Sequence, residues 1–147
     1  MRDLKLRGEV ILHPASSGRT SERVERALGI PRASVLKVLV FKSQEEYVAA
    51  IVTGDERVDV KRLERLTGLK DLRLASPEDV KSLTGFPVGG VPPFVFKDLC
   101  PVFVDEGVLS RDYVVGSAGS EYAGVRFSPQ EFRKLNYSVT RITRRQA

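Results

Sequence analysis

Apolar residues in this chain fall into short runs and alternations, broken by polar clusters and glycines, and no long helical stripe is present. Val35 to Lys42 and Tyr47 to Thr53 are rich in β-branched and apolar side chains, and the polar Ser43-Gln-Glu-Glu46 separates them. That pattern predicts an antiparallel hairpin. Glu9-Val-Ile-Leu-His13 reads as an earlier strand, stopped at Pro14. Helices are marked mainly by their ends. Thr20 caps a first helix through about Leu28, with Glu22 in its first turn and Gly29 after it. Asp59 opens a second, whose Val60, Leu63 and Leu66 share a face and whose Gly68 stops it. Ser76-Pro77 opens a third, with proline at the first helical position and Gly85 beyond its end. Leu72 to Ala75 lies between them as a short strand. Further on, strands are expected at Val102 to Asp105, Tyr113 to Gly116, and Gly124 to Phe127. Ser128-Pro-Gln-Glu131 has the form of a capping box leading a helix to about Leu135, and Tyr137 to Ile142 supplies a last strand. Strands and helices do not alternate as in a doubly wound parallel sheet. The expectation is a single α+β domain: a curved, mixed, largely antiparallel sheet with small flanking helices.

Composition narrows the class without naming a function. With 147 residues, 41% hydrophobic and 29% charged, the chain suits one folded domain with a sizeable core. No apolar run approaches the ~20 residues that span a bilayer, and the first residues lack the apolar core of a secretory signal. One cysteine, Cys100, allows no internal disulfide, so a cytoplasmic location is expected. A formal charge of +5 leans toward an anionic partner but is equally an ordinary basic surface.

Several chemistries lack their residues. One histidine and one cysteine, far apart in sequence, do not make a soft-ligand metal site. There is no phosphate-binding Gly-x-x-x-x-Gly-Lys-Ser/Thr loop and no Gly-x-Gly-x-x-Gly after a strand, so no metal or cofactor is expected. A Ser-His-Asp triad could draw only on His13, and nothing places a serine beside it. Cys100, between Leu99 and Pro101, reads as packing. Three features remain. Gly85-Phe-Pro-Val-Gly-Gly-Val-Pro-Pro-Phe94 couples a freed backbone to a stiffened one, which suits a loop bringing main-chain amides close to a ligand. Lys37 interrupts the apolar run around it, either on a solvent-facing side of the strand or as an ammonium projecting into a pocket. Gly116-Ser-Ala-Gly119 is expected as a tight turn between two strands, either plain or presenting the Ser117 hydroxyl to the same cavity.

Taken in order, these pieces resemble the YbaK-like family of aminoacyl-tRNA deacylases, related to the editing insertion of bacterial prolyl-tRNA synthetases. The resemblance runs from His13-Pro and Thr20-Ser-Glu through Val35-Leu-Lys-Val-Leu-Val-Phe, where the family's functional lysine falls on Lys37. It continues through Gly54-Asp-Glu-Arg-Val-Asp59 and Leu72-Arg-Leu-Ala-Ser-Pro77 to the glycine-proline loop, where the family's Gly-x-x-x-Pro falls on Gly89 and Pro93. Ser117 matches a pocket serine of some members. The histidine that helps select substrate in the synthetase insertion has no evident counterpart here.

The resemblance implies hydrolysis of the ester joining an amino acid to the terminal ribose of tRNA, with mischarged tRNA as substrate and prolyl-tRNA synthetase as a candidate partner. Alanyl- and cysteinyl-tRNA(Pro) are the leading substrates. In that reading, amides around Gly89, Gly90 and Val91 bind the carbonyl oxygen as it gains charge. Pro92 and Pro93 hold the donors in place, and Ser117 and His13 border the substrate. Lys37 holds the terminal adenosine or polarises the ester, and water attacks with help from the substrate's own ribose hydroxyl. Arg126, Arg133, Lys134, Arg141, Arg144 and Arg145 gather positive charge late in the chain, as a tRNA contact or a solvated tail. A rival reading keeps the fold as a non-catalytic tRNA- or synthetase-binding module. A general nucleic-acid binder fits less well, since there is no tryptophan and aromatics are only 7%, leaving few stacking platforms.

Overall fold

A computed structural model of the protein describes residues 9–12, 30–96, 98–120 and 123–144. The expected helix from Thr20 to Leu28, together with His13 and Arg145, lies outside the described residues. The strands are β1 (Glu9–Leu12), β2 (Leu36–Ser43), β3 (Glu46–Thr53), β4 (Arg73–Leu74), β5 (Val102–Asp105), β6 (Val114–Ser120), β7 (Ala123–Phe127) and β8 (Ser138–Thr140). The α-helices are α1 (Val60–Thr67), α2 (Pro77–Thr84) and α3 (Glu106–Leu109).

The hairpin forms as expected: β2 and β3 pair antiparallel from Leu36↔Thr53 to Ser43↔Glu46. It is the centre of a five-stranded sheet ordered β4-β2-β3-β5-β8, in which β5 runs parallel to β3 and β8 parallel to β5. Side chains alternate across a strand, so the hairpin sends two apolar sets in opposite directions. Leu36, Val40, Ala49 and Ile51 join Val91, Phe94, Phe96, Val104 and Phe127 in the larger core. Phe41, Val48, Ala50 and Val52 meet Val58, Leu63, Leu72 and Ile142 in a second core beneath α1. Covered on both faces, β3 reads as an unbroken apolar run.

Local signals set the helix ends. Asp59 accepts from the Arg62 N–H at 3.1 Å and Ser76 from the Asp79 N–H at 3.1 Å, while Gly68 and Gly85 close α1 and α2 at φ +77° and +82°. Three expectations change. The strands make two hydrogen-bonded sheets, the second ordered β1-β7-β6, linked to the first by a parallel bridge between Val35 and Val115. Residues 116–119 are not a turn; they lie within β6, where the register shifts between Ser117 and Ser120 and Gly119 takes φ +106°. The segment after Ser128 is a 3-10 helix, Pro129–Lys134, and not an α-helix. Its three-residue period aligns the buried Pro129 and Phe132 on one edge. Ser128 Oγ accepts from Gln130 N–H at 3.3 Å, and Glu131 N–H donates to the Ser128 carbonyl at 3.0 Å, so the reciprocal capping box does not form. Helix α3, four residues capped by Asp105, is too short to leave a periodic signal.

Candidate active site

The glycine-proline loop leaves α2 at Gly85 and is laid along β6. Pro87, Val88, Gly89 and Gly90 make a turn closed by the Gly90 N–H on Pro87 O at 2.9 Å, with Gly89 in its third position at φ +85°. A side chain there is strained, so the turn calls for glycine. Three contacts then fix the loop against the strand. Pro93 sits so close to Gly116 that a Cβ on the glycine would lie 2.9 Å from Pro93 Cγ. Ser117 Oγ donates to Gly89 O at 3.2 Å. A Cβ on Gly119 would lie 3.3 Å from Phe86 Cε1. The two glycine-rich segments noted in the sequence are therefore the two sides of one contact.

Behind the loop stands Tyr137, which sequence reading placed only as a strand residue. Its hydroxyl donates to Pro93 O at 2.9 Å and accepts from the Phe96 N–H at 3.3 Å, pinning the turn that follows the two prolines. Burial pushes its phenol well above the usual tyrosine range, so the proton it donates stays in place. No local pattern marks this role, because the partners are 44 and 41 residues away.

This geometry redistributes the expected donors. The Gly90 amide is engaged in its own turn, on Pro87 O. The Gly89 and Val91 amides have no acceptor among the described residues. Val91 itself is buried, and a buried N–H without a partner is uncommon in folded proteins. Gly89 and Val91 are thus loop amides left unengaged among the described residues, and Pro92 and Pro93 stiffen the chain beyond them.

Lys37 is placed differently. It alternates with Leu36 and Val38, so it leaves β2 on the face of Leu39 and Phe41, opposite to the face on which Val91 and Phe94 pack. Its ammonium is half-buried and donates to Glu56 O at 2.6 Å. Burial, and then the Arg57 guanidinium, hold its pKa below the ordinary lysine value, with Asp55 and Glu56 opposing them. Burial and the Asp55 and Asp105 carboxylates in turn push the Glu56 carboxyl up. The structure brings Ser117 to the loop, whereas Lys37 joins the segment between β3 and α1. The late basic residues also divide. Arg126 lies on β7 with its guanidinium 5.3 Å from the Tyr113 ring centre, while Arg141 and Arg144 lie on the chain beyond β8.

Comparison with known proteins accords with this architecture. The aminoacyl-tRNA editing domain family matches residues 15–135. Proline–tRNA ligase of Caldicellulosiruptor bescii is 31% identical over 84% of this chain and 21% of the ligase, and that of Nitratidesulfovibrio vulgaris strain Hildenborough is 38% identical over 63% of this chain and 16% of the ligase. The chain thus spans about a fifth of the length of those ligases. A solved structure described as a trans-editing enzyme for prolyl-tRNA synthetase superposes with a TM-score of 0.83 at 32% identity, covering 94% of this chain and 87% of that one. Among the described residues no helix is long and apolar enough to cross a membrane. With the family match running over most of its length, the chain belongs to the aminoacyl-tRNA editing domain family.

Proposed function

We propose that the protein acts in trans on mischarged tRNA in the cytoplasm, hydrolysing the ester of alanyl- or cysteinyl-tRNA(Pro). The observation that carries this reading is the loop wall: two unengaged amides, Gly89 and Val91, on a segment held from below by β6 and from behind by Tyr137. An aminoacyl ester is already reactive, so fixed donors at the developing oxyanion and correct placement of the acyl group supply much of the acceleration. Removing one such donor typically slows turnover by about 10²–10³. Water attacks, and the neighbouring ribose hydroxyl of the substrate assists its deprotonation.

Lys37 takes the RNA rather than the carbonyl in this scheme. Its position on the other face of β2, beside Glu56 and Arg57, suits a backbone phosphate of the tRNA end, since the terminal ribose carries the ester and lies at the loop. Selectivity follows from shape, since a small cavity rejects the proline ring more readily than it ranks alanine against cysteine. The test is a panel of mischarged tRNAs incubated with pure protein, scored by release of the amino acid. Rapid loss from alanyl- or cysteinyl-tRNA(Pro), with prolyl-tRNA(Pro) spared, is the expected result. Release from none of the panel refutes the hydrolase and favours a binding module.

A further inference from the structure

Strand β4 forms one edge of the five-stranded sheet, and its bonding pattern turns Leu74 outward. Ala75 N–H donates to Val40 O at 2.9 Å, so those two residues form a hydrogen-bonded antiparallel pair. Alternation along the ladder makes Lys42 and Arg73 the next such pair, and Phe41 and Leu74 a non-hydrogen-bonded one. Leu74 therefore points its N–H and C=O away from β2, toward the free edge. The preceding outward amide, that of Leu72, is taken by the Glu64 carboxylate at 2.9 Å. Among the described residues no side chain covers the Leu74 amide in this way. Its side chain, at 62% exposure, is also the most exposed large apolar one among them.

A groove of about 850 Å³ lies beside this edge, between the tip of the β2–β3 hairpin and the chain from Gly68 to Asp79. Lys42 and Asp79 in its wall pair at 3.3 Å. Its remaining charges are Lys70 and Arg73 against Glu45, Glu46 and Asp71. These nearly cancel, so the groove does not suit a polyanion such as RNA. An unpaired edge carrying an exposed leucine suits another protein strand.

The positions around Leu74 fit a second copy of this chain. Leu74 offers a donor and an acceptor on the same side, so two copies related by a two-fold axis at Leu74 exchange both bonds as an antiparallel pair. Their leucine side chains then lie on one face, with Cβ atoms about 5.5 Å apart, and cover each other. Lys70 and Glu78, both exposed, stand four residues to either side of Leu74. The same axis brings Lys70 of one copy toward the partner's Glu78, and the reverse. We propose that the protein self-associates through β4, joining two five-stranded sheets into one across Leu74. The contact is small, so the dimer is weak and concentration-dependent. It stands away from the glycine-proline loop: Leu36, beside Gly116, lies about 17 Å along β2 from Phe41, the residue opposite Leu74.

Analytical ultracentrifugation from about 10 µM to about 1 mM tests the interface. The weight-average mass should rise above the 16.3 kDa of one chain as concentration increases. Leu74→Asp removes the apolar contact and sets two carboxylates face to face, which weakens the dimer about a hundredfold. Leu74 is mostly exposed, so the variant folds, as an unchanged circular dichroism spectrum checks. Val139→Asp makes the same kind of change at 40% exposure on β8, the opposite edge, and leaves association as in the parent. Lys70→Glu weakens the dimer about tenfold, and Lys70→Glu/Glu78→Lys restores it. A parent that stays monomeric up to about 1 mM, or a Leu74→Asp dimer as tight as the parent's, overturns the proposal. So does an equal loss in Val139→Asp, or a Lys70→Glu dimer that is not weakened or not rescued by the exchanged pair. No tRNA enters the measurement, so its outcome is independent of the hydrolase reading.

Discussion

A methyl group added at Gly116 would lie 2.9 Å from Pro93 Cγ and 3.0 Å from its Cδ, with Leu36 Cδ1 at 3.6 Å on another side. Ordinary carbon contacts begin near 3.5 Å, so the overlap is about half an ångström against a buried ring that has no rotamer to change. Overpacking of this kind costs about 1–3 kcal/mol. Gly116 is not in the left-handed region, so alanine fits its backbone, and the stiffer unfolded chain returns about 0.4–1 kcal/mol. The net expectation for Gly116→Ala is a loss of about 1–2 kcal/mol, with the loop lifted from β6. A misplacement of this size at the amide donors lowers kcat by about tenfold or more. Gly68→Ala provides the comparison. Its backbone sits at φ +77° with open space around the missing Cβ, so it loses about 1–2 kcal/mol through strain alone, at the end of α1. Urea unfolding measures both stabilities, and single-turnover deacylation measures both activities. Equal stability losses with activity lost only in Gly116→Ala are expected. A fully active Gly116→Ala enzyme, or equal activity loss in Gly68→Ala, refutes the claim that β6 shapes the loop.

Tyr137→Phe keeps the ring against Phe132 but strands Pro93 O and the Phe96 amide; stability falls by about 1–3 kcal/mol, and kcat falls while KM holds, as steady-state kinetics will measure. Asp105→Ala leaves the Gly107, Ile142 and Thr143 amides unpaired, so urea unfolding should register a loss of about 3 kcal/mol. Lys37→Met raises KM for mischarged tRNA with kcat held, as steady-state kinetics will measure, without lowering stability. The folded pKa of Lys37 lies below its unfolded value of 10.5, so the unfolded chain binds more protons between the two; parent stability therefore rises with pH in that alkaline window relative to the variant, and urea midpoints across it give the sign.

What could be read from the chain was what short-range chemistry decides. Asp59, Ser76, Gly68 and Gly85 cap or close their helices through neighbours a few residues away, so their roles are visible in the string itself. The hairpin follows from two apolar runs and a polar break. Gly116 and Gly119 were misread because a glycine marks either a turn or a close approach, and only Pro93 and Phe86, brought over by the tertiary fold, decide between them. Tyr137 was invisible for the same reason. Parity along β2 shows that Lys37 and Leu36 diverge, but not which face the loop covers. The segment after Ser128 kept its capping letters, yet it winds as a 3-10 helix that buries Pro129 and Phe132 three residues apart.

The separation of Lys37 from the loop has a consequence for how variants divide. The loop, β6 and Tyr137 are joined by direct contacts into one rigid wall, so a change in any of them alters the placement of the acyl group and acts on kcat. Lys37 is joined instead to the segment between β3 and α1 through the Glu56 carbonyl, and changes there should act on RNA affinity. An interaction made equally in ground and transition states raises KM when lost, whereas one made only in the transition state lowers kcat. Gly116→Ala combined with Lys37→Met should therefore be additive in free energy, because the two sites share no partner. Non-additivity in that pair would mean that RNA held on one face of β2 reorganises the loop on the other, and the central sheet would then be a coupling element rather than a partition.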